Sequence, residues 1–450
     1  MPASRSKFSD LLQRARRSFV YFATGGDWAI ALPDKIHRNL VWFWFDGFFA
    51  AACDNIALTY LAVYLLALGA TQTQIGVLSS LSSLVAALML FPGAMLVERI
   101  GRRKHLAVTG GVGARLVLGI LAALPLFLSG PTLVTVAIGV SLLRDGFANL
   151  GFPAWMAITA DIVPLAGRGR YFASRNFVMG VAGMVTTLGI GFFIARTASP
   201  GGYQIALVIA LILGSGSTFC FAHLKDSNPK ASGGAISSFK FHDLYSELVS
   251  NRAFLILIGT TALWNLALNV AGPFFTVYLV KNLHADAAMV GMTSIATSLG
   301  TLLSQRKLGE LADRWGARKL QVVCELVIPV LPILWALVNA SWQIIPINVL
   351  SGVLWAGYNL SSFNYLLELA PPEKRARYSA LFQFTVTISL ALGAALGSVI
   401  VTFWGFIAVF LGSAIGRIIA AGLFARLSSQ VRQELRPAAA QNQTGVKRLP

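Results

Sequence analysis

Several charged side chains lie inside long apolar stretches of this chain, where charge is costly. Asp46 and Asp54 share one stretch, and on a helix they would lie about 12 Å apart along the axis and about 80° apart in rotation. Arg144 and Asp145 lie in another stretch, followed by Asn149. An acid facing an arginine in such surroundings can take up a proton and release its partner. These charges predict a proton-coupling site, with a static ion pair that only stabilises the fold as the alternative.

Partners for these charges can be suggested from their depth in the apolar stretches. Asp54 and Arg144 both lie near the middle, so a pair between them is feasible. Glu325 and Arg417 are further charges of this kind, for which structural pairing is expected. The sequence offers no partner for Arg115.

Aromatic and amide side chains recur at helical spacing in two other apolar stretches. Such side chains suit a polar or amphipathic organic solute, with plain aromatic packing as the alternative. They are Trp264, Asn265 and Asn269 in one stretch, and Trp355, Tyr358 and Asn359 in the other.

The elements that must position these residues are transmembrane helices. The chain is 56% hydrophobic and 12% charged, whereas a soluble domain carries about 25% charged residues. Its apolar stretches are each long enough to cross about 30 Å of hydrocarbon. We predict an all-α membrane protein with twelve spans, at roughly 40–67, 74–96, 106–128, 132–154, 173–195, 203–223, 254–280, 287–305, 320–338, 343–366, 379–402 and 404–425.

The net charge of +18 is distributed very unevenly over the predicted loops. Alternate loops and both tails hold nearly all of the 36 lysines and arginines, and the opposite loops hold only Arg196 and Lys281. This pattern predicts a cell (plasma or inner) membrane protein with both termini in the cytoplasm. It explains the positive charge by topology and anionic lipid, without a nucleic-acid partner.

The chain also repeats itself. Leu68, Ala70 and Gly76 recur 215 residues later as Leu283, Ala285 and Gly291, and the similarity continues into the following loop. A second set of similar residues, within 161–171, recurs 207 residues later, within 368–378. A repeat of this length in so apolar a chain is typical of transporters built from two parallel halves.

The repeat and the polar segments divide the chain into five parts. Residues 1–38 form a cytoplasmic tail in which Phe8, Leu11, Leu12, Ala15 and Phe19 share one helical face, which predicts an interfacial helix or, alternatively, a disordered basic tail. The remaining parts are a six-helix bundle over 39–224, a cytoplasmic linker over 225–251, a second bundle over 252–426 and a polar tail over 427–450.

Two loops carry a recognisable motif. Residues 93–104 read Gly-Ala-Met-Leu-Val-Glu-Arg-Ile-Gly-Arg-Arg-Lys, and residues 309–319 read Gly-Glu-Leu-Ala-Asp-Arg-Trp-Gly-Ala-Arg-Lys. Both resemble the signature loop of the major facilitator superfamily, Gly-x-x-x-Asp-Arg-x-Gly-Arg-Arg/Lys. The first copy differs from this pattern in two ways: its first glycine is displaced by one position, and Glu98 replaces the aspartate. The resemblance implies a cytoplasmic latch formed by Glu98, Arg99, Gly101, Arg103, Asp313, Arg314, Gly316 and Arg318, with Arg168 and Arg375 on the same face.

The resemblance also implies two pseudo-symmetric six-helix bundles around a cavity lined by spans one, four, seven and ten. Asn149 and the aromatic and amide residues named above would then face the substrate. Span five lacks the Gly-Pro pair of the family's drug-antiporter signature. The expected function is secondary active transport of a small organic solute by alternating access, with proton coupling as a hypothesis. A proton-antiport drug or lipid exporter, a flippase-like protein and a non-transporting receptor are the alternatives.

No enzymatic or metal-binding motif accompanies these features. Phosphate-binding GxxxxGK[ST] and HExxH patterns are absent, and Cys53, Cys220 and Cys324 lie far apart without ligand spacing. We therefore expect no enzyme activity, cofactor or metal. The expected partners are a small-molecule substrate, protons and the lipid bilayer, and the expected state is a monomer.

Overall fold

The computed structural model of this chain is helical throughout the part that it describes, and no strand occurs there. The amphipathic helix predicted within 1–19 and the linker beyond Lys225 lie outside the described residues. The described residues are 20–29, 32–100, 102–164, 167–225, 251–369 and 375–445.

The N-terminal half consists of six long helices, each apolar enough to cross a membrane. Prolines interrupt the hydrogen-bond ladder only at Pro92 and Pro153, inside the second and fourth of them. The helices are α1 (Asp34–Ala67), α2 (Gln72–Ile100), α3 (Arg103–Ala123), α4 (Gly130–Ile162), α5 (Arg168–Ala195) and α6 (Gly201–Ala222).

Helices of the C-terminal half are broken more often. Pro273 separates α7 from α8, and Pro329 separates α10 from α11, because proline cannot donate to the preceding turn. Gly405, with φ +78°, bends α13 between the last two predicted spans. Eleven segments are long and apolar enough to span, the last one running through this bend, which confirms the predicted architecture. The helices are α7 (Arg252–Ala271), α8 (Phe274–Lys281), α9 (Ala287–Trp315), α10 (Ala317–Val327), α11 (Val330–Leu337), α12 (Ile344–Leu369) and α13 (Arg375–Gly445).

The chain folds as two compact units. We call residues up to 70 together with 88–235 the first unit, and residues 71–87 together with those from 236 onward the second unit. Helix α2 is therefore shared, because its beginning packs on α13: Ser80 Oγ donates to the Ala391 carbonyl at 2.8 Å. In the first unit α1 packs on α5 and α6, and α3 on α4 and α6; in the second unit α7 packs on α13, and α12 on α9 and α10.

The sequence repeat is visible in the local geometry of one loop. Gly69 and His284 occupy corresponding positions and both have positive φ, of 98° and 49°. Two residues later, Thr71 Oγ1 accepts a hydrogen bond from the backbone N–H of Gln74. In the second copy, Asp286 Oδ1 accepts one from the backbone N–H of Met289. The two copies thus end one helix and cap the next in the same way.

Candidate functional site

The first unit contains an ion pair that is open on one side. Arg115 Nη1 of α3 lies 2.6 Å from Asp54 Oδ1 of α1, with Arg115 14% exposed and Asp54 52% exposed. Charged side chains within membrane spans almost always face the bundle interior or a water-filled cavity, so we expect the uncovered side of Asp54 to face water or solute. We call Asp54 and Arg115 the open pair. The predicted pairing of Asp54 with Arg144 is wrong, and Arg115 does have a partner.

A glycine explains why Arg115 reaches α1. Gly214 of α6 lies where α1 and α3 both pack, and a Cβ there would overlap the Arg115 side chain and lie 2.9 Å from Cys53 Sγ. The missing side chain leaves the space through which the guanidinium passes. The sequence signal was present, since Gly214 and Ser217 share one face of span six.

A second ion pair in the first unit is buried on all sides. Arg175 Nη2 of α5 lies 3.1 Å from Asp46 Oδ2, and Ser217 Oγ donates to Asp46 Oδ1 at 2.7 Å. Both charged side chains are about 5% exposed or less. Arg175 Nε also donates to the Phe43 carbonyl at 3.1 Å, and the guanidinium lies 4.1 Å from the Phe43 ring centroid. We call the ion pair of Asp46 and Arg175, together with the Ser217 hydroxyl that donates to it, the closed pair. Sequence reasoning missed Arg175 by assigning it to the cytoplasmic edge of span five.

Arg144 and Asp145 bond to each other rather than to another helix. Arg144 Nη1 lies 3.2 Å from Asp145 Oδ1, and the buried Arg144 Nε has no partner in the described part of the chain. The Asn149 amide donates to the Asp145 carbonyl at 2.8 Å.

The second unit brings together three of the predicted cavity residues. The Trp264 and Tyr358 rings lie 5.5 Å apart between centroids, and Trp355 meets Tyr358 edge-on at 5.4 Å. We call Trp264, Trp355 and Tyr358 the aromatic cluster. Trp264 is 1% exposed, and its buried Nε1 has no hydrogen-bond partner among the described residues.

The predicted amides of the second unit are separated from one another. Asn265 donates to the Thr261 carbonyl at 2.9 Å, and Asn269 donates to the Leu390 carbonyl at 2.7 Å. Asn359 is exposed. Asn265 bonds within its own helix and Asn269 joins α7 to α13, so Asn359 is the most open of the three to a solute.

The two buried charges of the second unit do not pair with each other. Glu325, 3% exposed, accepts from Gln321 Nε2 at 2.9 Å. Arg417, 2% exposed, donates to the Leu268 carbonyl at 3.2 Å. Neither forms an ion pair within the described ranges, so the expected structural pairing is wrong.

The predicted latch residues differ between the two copies. Arg103 Nη2 lies 2.6 Å from Asp161 Oδ2, whereas the corresponding Arg318 donates to Ser428 Oγ at 2.8 Å and to the Ala425 carbonyl at 3.1 Å. The loop after α9 turns at Gly316, whose φ is +82°.

The other latch positions are surface residues or cannot be described. Arg168 donates twice to the Val163 carbonyl, at 3.3 and 3.0 Å. The side chains of Arg99, Asp313 and Arg314 are exposed. Gly101 and the side chains of Glu98 and Arg375 lie outside the described part.

Metal-ligating side chains do not cluster in the described ranges. No group of three or more His, Cys, Asp or Glu residues there could hold an ion. The three cysteines are buried and free.

Comparison with known proteins shows which family has this architecture. The sequence profile of the Major Facilitator Superfamily matches residues 43–270 and 260–449. A multi-drug resistance efflux pump PmrA homolog of Lactococcus lactis subsp. lactis is 24% identical over 391 residues, which is 85% of this chain and 93% of that protein. Multidrug resistance protein MdtG of Salmonella newport is 28% identical over 176 residues, which is 37% of this chain and 42% of that protein.

Solved structures show the same fold at low identity. A mutant of the nucleoside transporter NupG has a TM-score of 0.71 at 15% identity, over 87% of this chain and 99% of that one. A bacterial metal transporter has a TM-score of 0.62 at 15% identity, over 86% and 98%. The eleven apolar helices in the described part of the chain and the family match identify a multi-pass membrane protein. The chain belongs to the Major Facilitator Superfamily, and it carries a small solute across the membrane.

Proposed function

We propose that this chain is a proton-coupled exporter of an amphipathic organic solute. The open pair is the single observation that carries proton coupling, because it joins a half-exposed carboxylate to a mostly buried arginine inside the membrane. Export is supported by the two relatives, of which one is a multi-drug resistance efflux pump PmrA homolog and the other is multidrug resistance protein MdtG. Uptake with the same coupling is the competing mode.

Asp54 is the residue at which we place the proton. Its uncovered side gives a proton a route to the carboxylate, while Arg115 holds the opposite side at 2.6 Å. Protonation removes the negative charge and leaves Arg115 without its partner in a region of low dielectric. Arg115 must then find another acceptor, and this demand can drive a rearrangement of α1 against α3.

Asp46 has a different role in this proposal. Its carboxylate is covered and satisfied by Arg175 and Ser217, so releasing it would leave a buried charge unpaired. We assign the closed pair to structural support. Arg144 and Asp145, which pair with each other on α4, remain further candidates for the coupling site.

The aromatic cluster is where we place the solute. The partly exposed Trp355 ring borders Tyr358, which in turn packs on Trp264, and this apolar surface suits a flat amphipathic molecule. Asn359, one residue after Tyr358, adds an exposed amide. Asn149 of α4, whose side-chain amide bonds the Asp145 carbonyl, remains a further candidate contact.

The orientation follows from the loop charges. We place both termini and the linker over 225–251 in the cytoplasm, and the chain in the cell membrane as a monomer. Tags at both ends and in the linker should all report the cytoplasmic side. A tag in the linker that is reached from outside the cell would contradict this topology.

Proteoliposome transport of a fluorescent aromatic dye, ethidium, tests the proposed coupling. Asp54→Asn should abolish dye accumulation driven by an imposed pH gradient while preserving dye exchange, which needs no net proton movement. Asp34→Asn is the matched control, an exposed carboxylate at the start of α1 whose loss should leave a gradient response. A wild-type gradient response from Asp54→Asn would remove Asp54 as the coupling residue.

A further inference from the structure

Arg417 is a buried cation that the described protein leaves incompletely satisfied. It lies midway along the last predicted span, is 2% exposed, and donates from Nη2 to the Leu268 carbonyl at 3.2 Å. Its Nε is buried without a partner. A guanidinium has five N–H donors and keeps its charge in proteins, so it cannot escape this situation by losing a proton.

The charge on Arg417 needs more compensation than one carbonyl supplies. Leu268 lies in the last turn of α7, whose carbonyl end carries a partial negative charge of only about half a unit. Glu325, the other buried charge of the second unit, is engaged by Gln321 instead. No carboxylate of the described residues forms an ion pair with Arg417. Buried charges in proteins are ordinarily paired, so the unpartnered donor of Arg417 is suited to an anionic ligand.

A second unsatisfied donor lies in the same helix packing. Trp264 Nε1 is buried without a partner, one helical turn before Leu268 on α7. Helices α7 and α13 are joined there, since Ser413 Oγ donates to the Ala267 carbonyl at 2.6 Å and Ala420 shares a core with Trp264. Both unsatisfied groups donate hydrogen bonds and neither accepts them.

We propose that Arg417 binds a monovalent anion between α7 and α13, with Trp264 Nε1 as a second donor. The ligand is either a small inorganic anion or the carboxylate of a small solute, because both present a single negative charge with lone pairs for N–H donors. The proposal does not depend on proton coupling through Asp54, which lies in the first unit.

Anion-dependent melting of the purified protein tests this site. Chloride, bromide or formate is titrated against a bulky sulfonate at constant ionic strength, and we expect a saturable rise in melting temperature. Arg417→Gln should abolish the rise in melting temperature. Arg417→Lys should raise the anion concentration at half-saturation by about tenfold, because lysine lacks the planar fork of donors. The matched controls are Arg196→Gln, an exposed arginine at the end of α5, and Glu325→Gln, and both should respond like the wild type.

A fluorescence measurement keeps the test valid should Arg417→Gln fail to fold. Bromide quenches tryptophan, so bound bromide should give a saturable quenching component that Trp264→Phe removes while a melting response remains. Equal effects of chloride and formate, with no gain from benzoate, identify a small inorganic ion, and a larger effect of benzoate identifies a solute carboxylate. No saturable anion effect in the wild type, or an undiminished effect in folded Arg417→Gln, would overturn the proposal.

Discussion

The two units repeat one architecture but treat buried charge in opposite ways. In the first unit the arginines of the open and closed pairs each meet a carboxylate on another helix. In the second unit Glu325 meets only a neutral amide, and Arg417 meets only a carbonyl. The aromatic cluster lies in the second unit as well. The loop geometry at 69–74 recurs at 284–289, whereas the buried polar side chains of the two units differ.

This difference indicates a division of labour between the units. Acid–base pairs change strongly when a proton arrives, because protonation leaves a cation unpaired. Aromatic rings and single donors recognise a solute without changing charge. On this account the first unit responds to protons and the second unit binds solute and anion.

The largest expected effect is the loss of stability on breaking the closed pair. Asp46→Asn should lower the free energy of unfolding by about 3–5 kcal/mol, because it leaves buried Arg175 without a counter-charge. Glu325→Gln should change it by only about 1 kcal/mol, since Gln321 is a neutral partner. Denaturant unfolding in detergent measures both. Restoration of most of the loss in Asp46→Asn combined with Arg175→Met would confirm the cause, and equal losses in the two single variants would erase the contrast between the units.

A smaller effect is expected from filling the space beside the open pair. Gly214→Ala places a methyl group against Arg115 and Cys53, and should cost about 1–3 kcal/mol while disturbing the open pair. Gly180→Ala in α5 is the control, because nothing lies within 4 Å of its added Cβ. Unfolding and gradient-driven transport are compared for both. Unimpaired transport by Gly214→Ala would show that the position of Arg115 is not critical.

The aromatic cluster should contribute less than either ion pair. Trp264→Phe keeps a ring but removes the indole N–H and part of the contact area, so we expect dye affinity to fall by about 0.5–1.5 kcal/mol, or up to about tenfold. Dye binding measured at equilibrium checks this value. Trp342→Phe, an exposed tryptophan outside the cluster, serves as the control. Equal affinity in wild type and Trp264→Phe would move the solute site elsewhere.

The weakest effect concerns the proposed latch. Asp313→Asn should slow transport by about twofold to fivefold while leaving membrane insertion intact, because an exposed charge contributes about 0.2–1 kcal/mol. Glu98→Gln should act in the same direction. Glu310→Gln controls for loss of an exposed carboxylate near the end of α9, where Glu310 pairs with Arg306. Wild-type rates in both Asp313→Asn and Glu98→Gln would refute the latch role.

Much of the fold could be predicted from the sequence because hydropathy and the repeat act over many residues. The spans follow from runs of apolar residues, and the twofold organisation follows from the recurring loop motif. Asp54, Arg115 and Arg417 were recognised as intramembrane charges for the same reason. These features need no knowledge of which helices are neighbours.

The pairing of those charges could not be predicted because it depends on neighbours and on local space. Arg115 reaches Asp54 only where Gly214 leaves room on α6, which hydropathy does not record. Arg175 was missed because it lies only two residues inside the predicted start of span five at 173, where a basic residue is expected from the cytoplasmic edge. Small and hydroxyl residues such as Gly214 and Ser217, on one helical face, are the signal to search for.

The central claim is that the proton acts at the open pair of the first unit. Proton flux measured with a trapped pH indicator in dye-loaded proteoliposomes tests it most directly, comparing wild type, Asp54→Asn and Glu325→Gln. The account predicts that dye movement drives protons in the wild type and in Glu325→Gln, and drives none in Asp54→Asn. Proton flux that survives Asp54→Asn and disappears in Glu325→Gln would contradict it, by placing the proton site in the second unit.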